Sequence, residues 1–83
     1  MKVVSPRASS GSSTRVRNNI RTLRFTHGEM TQQELAEKIG VTRQTVNAIE
    51  QGKYSPSLEA AFRLARVFGR SLDEVFEWHE AAG

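Results

Sequence analysis

The stretch Met30–Lys53, "MTQQELAEKIGVTRQTVNAIEQGK", decides how this chain folds. Its Thr31-x-x-Glu34 pattern is a capping box: the Thr31 hydroxyl takes up a backbone N–H of the first turn, and Glu34 reaches back to the Thr31 amide. Leu35, Ala36 and Ile39 then recur on one face, which predicts a short amphipathic helix. Gly40 stops it, because a left-handed backbone costs glycine nothing. Thr42 is a natural N-cap for a second helix that runs to about Glu50 or Gln51, with Val46 and Ile49 turned inward and Gly52 as the stop. Two helices joined by so short a turn form a helix-turn-helix candidate. The second opens with Arg43 and Gln44, two long polar side chains on its solvent side.

Working outward, Val16, Ile20 and Leu23 predict a first helix from about Thr14 to Phe25, with Arg15, Arg17, Arg21 and Arg24 outside. "THGEM" ends it, with Gly28 available for a positive φ. After "YSPS", Ser57 caps a fourth helix whose apolar stripe is Leu58, Ala61, Phe62, Ala65 and Phe68, closed by Gly69. Ser71 opens a fifth through a second capping box, "SLDE", with Leu72, Val75 and Phe76 as its apolar face. No alternating, β-branched stretch of strand length is present, so the fold is expected to be all-α. Residues 1–14 read as a flexible, basic, Ser-rich tail, either an arm for DNA or a plain loose terminus. Residues 15–78 read as one domain and residues 79–83 as a C-terminal tail.

Eighty-three residues suffice for one small core. The chain has no cysteine and two distant histidines, which argues against a disulfide, a thiolate metal site or a zinc centre. No nucleophile–base pair, carboxylate cleft or phosphate-cradling loop can be assembled, so neither an enzyme nor a cofactor is expected. The opening "MKVVSP" lacks the apolar run of a signal peptide, and nothing approaches membrane-spanning length; a soluble, cytoplasmic protein is expected. The net charge of +3 is unevenly spread. Residues 1–30 hold six Lys and Arg against one Glu, whereas residues 55–83 hold three Arg against five acidic residues. A basic front half suits a polyanionic partner.

From about Arg17 to Trp78 the chain resembles the Cro and phage-repressor type of helix-turn-helix regulators, in the short stand-alone form of the xenobiotic-response-element branch. The matching text is "TQQELAEKIGVTRQTVNAIEQGKYSPSLEAAFRLARVFGRSLDEVF". The resemblance implies a compact five-helix, lambda-repressor-like DNA-binding domain whose third helix lies in the major groove. It places Arg43 and Gln44 at the leading base-reading positions. Their chemistry agrees: Arg forks onto guanine O6 and N7, and Gln bonds adenine N6 and N7. Thr45 and Asn47 are further candidates for base contact. Gln32, Thr42, Gln51, Lys53 and Tyr54 match positions that meet phosphate, and Ala48 offers only a methyl. Glu50 would repel phosphate and is expected to pair inside the protein with a basic group from helix one. Phe62, Phe68 and Phe76 are expected in the core. Relatives usually pair, so a homodimer is expected, with Val75, Phe76 and Trp78 as its interface and Val75 and Trp78 partly exposed.

The expected function is that of a sequence-specific transcriptional regulator, more a repressor than an activator, binding double-stranded DNA at a palindromic operator with no cofactor. Short members of this kind also act as antitoxins with a toxin partner, or as controllers of restriction–modification genes. A module of the same fold that binds only protein is the remaining alternative; acidic or apolar residues at positions 32, 43, 44 and 53 would have favoured it.

Overall fold

The computed structural model describes residues 15–78; the two expected tails lie outside that range. Five helices form: α1 (Ile20–Thr26), α2 (Gln32–Ile39), α3 (Arg43–Glu50), α4 (Leu58–Phe68) and α5 (Leu72–Val75). Two three-residue strands, β1 (Val16–Asn18) and β2 (Phe76–Trp78), join the ends of the domain as an antiparallel ribbon, with Val16 opposite Trp78 and Asn18 opposite Phe76.

The ribbon corrects both ends of the sequence reading. The first helix begins at Ile20, not Thr14, because Asn18 and Asn19 interrupt it. Asn18 Oδ1 accepts from the Ile20 N–H at 3.1 Å, a local turn that competes with helix. Its Nδ2 donates to the Ile49 carbonyl at 2.9 Å, which ties the end of α3 to the start of α1. Asn19 donates through its backbone to Val75 O and through its side chain to Glu74 O. The fifth helix stops at Val75, and Phe76 is extended with φ −124° and ψ 148°. Alternating Phe76-Glu77-Trp78 suits a strand, and β1 supplies the partner.

The interior is apolar: Ile20, Leu23, Leu35, Ala36, Ile39, Val46, Ile49, Leu64, Ala65, Phe68 and Val75 form one cluster. Val75, expected to be partly exposed, is completely buried there and is spent on the monomer's own core. Phe76 is half-buried against the cluster, whereas Trp78 is 64% exposed. Phe62, expected inside, is 52% exposed, and Leu58 is exposed too. Leu64 takes the inner position instead, so the buried stripe of α4 is narrower and rotated relative to the expected one.

Local chemistry sets the helix boundaries. Thr31 and Glu34 form the capping box at 2.8 and 3.0 Å. Gly40 closes α2 at φ +79°. Arg63 from α4 donates to the Ile39 carbonyl beside it, and a Cβ at position 40 would stand 3.3 Å from that guanidinium. At α5, Glu74 accepts from the Ser71 N–H at 2.9 Å. That backbone bond, with help from the Ser71 hydroxyl and Arg70, holds the Glu74 carboxyl below its usual 4.5 despite some desolvation. A lowered carboxyl pKa stabilises above the ordinary value, and the contribution disappears as pH falls through the folded-state value.

The expected partner of Glu50 is Arg24 of α1. Arg24 Nε and Nη2 reach the two carboxylate oxygens at 2.7 and 3.1 Å, and Nη1 donates to the Met30 carbonyl at 2.8 Å. The side chains are only 12% and 8% exposed, so the pair is largely shielded from water. The Arg63–Glu59 pair, at 52% and 75%, is not.

In urea denaturation, Leu35→Ala is expected to cost about 3 kcal/mol by opening a cavity in the core. Phe62→Ser should stay within about 0.5 kcal/mol, as an exposed substitution. Glu50→Ala should cost about 3 kcal/mol, because it strands a shielded Arg24. Glu59→Ala should cost no more than about 0.5 kcal/mol.

Candidate nucleic-acid interface

The start of α3 is built by Thr42. Its extended backbone places the hydroxyl to accept from the Thr45 N–H at 3.1 Å, and the Thr42 and Thr45 hydroxyls bond each other at 3.0 Å. Both predicted contacts are therefore engaged in the cap, although Thr42 stays exposed. The cap makes Arg43 and Gln44 the first two residues of the helix. Both are exposed, and neither side chain hydrogen-bonds another described residue. Arg43, Asn47 and Gln51 recur every four residues along one line, with Gln44 and Ala48 beside it. Val46 and Ile49 bury the opposite face. This stripe is the surface that helix three was expected to present.

Beside the stripe lies a shallow polar cleft between α1, α2 and α3, lined by Arg21, Arg24, Gln32, Asn47, Glu50 and Gln51. Gln32 opens α2, where the first N–H groups have no intrahelical acceptor. Its side-chain amide, however, is turned into the protein. Nε2 donates to Glu50 Oε1 at 3.1 Å and to Asn47 Oδ1 at 3.2 Å. Gln51 Nε2 approaches the same Asn47 oxygen at 3.4 Å. Three residues predicted as separate DNA contacts, Gln32, Asn47 and Gln51, thus form one network rooted in the Arg24–Glu50 pair.

Lys53 and Tyr54 follow α3 in an exposed loop that turns at Gly52 with φ +74°. Neither joins the network. Phe76 and Trp78 sit in β2, on a different element from the polar stripe. Arg21 was not singled out by sequence reasoning as a contact, yet it is exposed and lines the cleft together with Gln32. The available signal was its spacing: Arg21 and Arg24 stand three apart on α1 and so share a face. Among the described residues, Arg21, Arg43 and Lys53 make no ion pair, which leaves three cations open to a polyanion near α3. No described group of His, Asp or Glu suits a metal ion, and no described helix is long and apolar enough to cross a membrane.

A model of the helix-turn-helix family matches residues 20–75, the span from the start of α1 to the end of α5. An uncharacterised HTH-type transcriptional regulator of Methanocaldococcus jannaschii is 43% identical over 65 residues, covering 78% of this chain and 97% of the relative. The Bacillus subtilis HTH-type regulator YgzD is 43% identical over 65 residues, covering 78% and 96%. Among solved structures, a candidate DNA-binding protein from Bacteroides fragilis superposes with a TM-score of 0.64 over 75% of this chain and 98% of its own; at 21% identity the likeness is one of fold. The capped α2–Gly40–α3 unit, its exposed polar stripe and these relatives lead to one assignment: the chain belongs to the Cro/C1-type helix-turn-helix family of DNA-binding transcriptional regulators.

Proposed function

We propose that this regulator is a sequence-specific repressor that binds a two-fold operator as a homodimer, with α3 of each copy in the major groove. The observation that carries the reading is the state of Arg43 and Gln44. They stand at the capped start of α3, exposed and uncommitted to the protein, on a face whose opposite side is the core. A guanidinium fork and a carboxamide at adjacent positions suit guanine and adenine edges, each good pair contributing about 1–3 kcal/mol of discrimination. Phosphate contacts fall to Arg21, Lys53 and Tyr54, and to the backbone N–H groups that open α2 at Gln32. Thr42 and Thr45 act first as the cap and only secondarily on DNA. The protein works on the nucleoid without a cofactor, and no step of the reading is catalytic. Residues 15–78 carry it.

One such unit reads few base pairs, and a dimer sets two recognition helices about 34 Å apart. With Val75 buried in the core, Phe76 and Trp78 of β2 remain of the expected interface for a second copy. Trp78 in particular is 64% exposed. An antitoxin or a restriction–modification controller would use the same reading face and add a protein partner.

Titration against labelled duplexes from around its own gene and a scrambled control, at two salt concentrations, tests the reading face. Binding should weaken steeply with salt, and the native duplex should be favoured until Arg43→Ala/Gln44→Ala removes the difference. No binding to either duplex at low salt would sink the DNA reading in favour of a protein-only partner. Sedimentation of the complex should give two copies per operator. Trp78→Ser should shift assembly to at least about tenfold higher protein concentration while leaving the monomer folded, since the ring is exposed.

A further inference from the structure

The network beside α3 fixes not only where Asn47 is but which way it faces. Its root is charged: Arg24 donates twice to the Glu50 carboxylate, and a carboxylate offers only acceptors. The Gln32 group that meets Glu50 must therefore be the amide nitrogen. That nitrogen carries two hydrogens; one goes to Glu50 Oε1 and the other to Asn47 Oδ1. The Asn47 atom that meets Gln32 must then be its carbonyl oxygen, and Gln51 Nε2 closes on the same atom from the other side. What remains of the Asn47 carboxamide is Nδ2 with both hydrogens, bonded to no described residue; Asn47 itself is half-buried, on the line between the exposed Arg43 and Gln51. A free asparagine offers one donor and one acceptor and so favours adenine N6 and N7. This one has its acceptor used up.

We propose, resting on the DNA-binding reading above, that Asn47 is an obligate donor on the DNA-reading face and that Gln32 is the positioning residue that makes it so. Its ligand is an acceptor on the duplex, either a base-edge oxygen or nitrogen or a phosphate oxygen, and it does not make the two-way contact with adenine. Guanine, with two acceptors on its major-groove edge, is favoured over adenine, whose N6 amino group would confront another donor. The Gln32 side chain then acts on DNA through Asn47, because both of its amide hydrogens are consumed inside the protein.

The test uses the whole 83-residue chain, a library of random duplexes from which bound sequences are enriched, and a double-mutant cycle of Gln32→Met and Asn47→Ala. Each single variant should lower affinity for the enriched duplexes by about tenfold, the scale of one hydrogen bond lost from a constrained site. The double variant should be no weaker than Asn47→Ala alone, to within about twofold. Losses that multiply would overturn the inference, since Gln32 would then act independently of Asn47. A base contact is indicated if Asn47→Ala relaxes a guanine preference at one step; a phosphate contact, if it weakens all enriched duplexes equally. Relaxation of an adenine preference would overturn the proposal.

Amide-proton exchange in the free protein tests the orientation without DNA or any variant. Both Gln32 side-chain amide protons should exchange more slowly than those of Asn47, and the reverse order would overturn the lock. Failure of the wild type to bind or enrich any duplex would sink the DNA reading, and this inference with it. Binding with multiplying losses or the reversed exchange order would sink the inference alone.

Discussion

The reading surface depends on the ion pair between Arg24 and Glu50. The recognition helix has eight residues, far fewer than a helix needs to persist alone in water. Val46 and Ile49 hold its inner face to the core. Glu50 adds a polar constraint at its far end, gripped by a guanidinium that also bonds the Met30 carbonyl in the connection between α1 and α2. Asn18 adds a further tie to the Ile49 carbonyl. The first helix, the turn that follows it and the recognition helix are thereby held as one body. The polar residues beside the pair inherit their orientation from it.

That arrangement explains the division of labour on α3. Arg43 and Gln44 lie at the capped end, distant in the helix from the ion pair, and answer only to the helix axis and to solvent. Asn47 and Gln51 lie nearer Glu50 and are drawn into its hydrogen-bond network. A negative charge on a DNA-facing helix would ordinarily repel phosphate. Here Arg24 offsets it directly, and the exposed Arg21 in the same cleft leaves the local balance positive.

The central half of the fold was legible in the sequence because its signals are local. Capping hydroxyls at Thr31, Thr42 and Ser57, and stops at Gly40 and Gly69, each act within a turn of the residue that carries them. Glu50 was legible for a chemical reason, since an acid near phosphate needs an internal partner. The ends were not legible, because the ribbon joins residues from opposite ends of the domain: Val16 at helical spacing from Ile20 reads as helix until Phe76–Trp78 is seen alongside. Asn18 and Asn19 were the overlooked warning. On α4 the pattern was right and its phase was wrong: a stripe that includes Phe62 differs from one that includes Leu64 only by a rotation, and neighbouring elements decide between them. The polarity of Asn47 was beyond reach for the same reason, since it requires Gln32, fifteen residues away, to lie within hydrogen-bond distance.

The unequal tethering of the stripe has a bearing on how such a regulator changes targets over generations. The Arg43 and Gln44 side chains are exposed and make no hydrogen bond or ion pair to a described residue, so on the proposed reading exchanging them alters what is read without endangering the fold, and drift at those two positions is cheap. Position 47 is different: a new side chain there must also satisfy Gln32, and through it a charge shielded from water. Substitution is thus filtered by folding before it is filtered by the operator. On the proposed reading the molecule carries two freely rewritable letters and a third that can be rewritten only together with its neighbours, so its descendants should diverge in recognition by small steps at the helix start and by rare, coordinated changes in its middle.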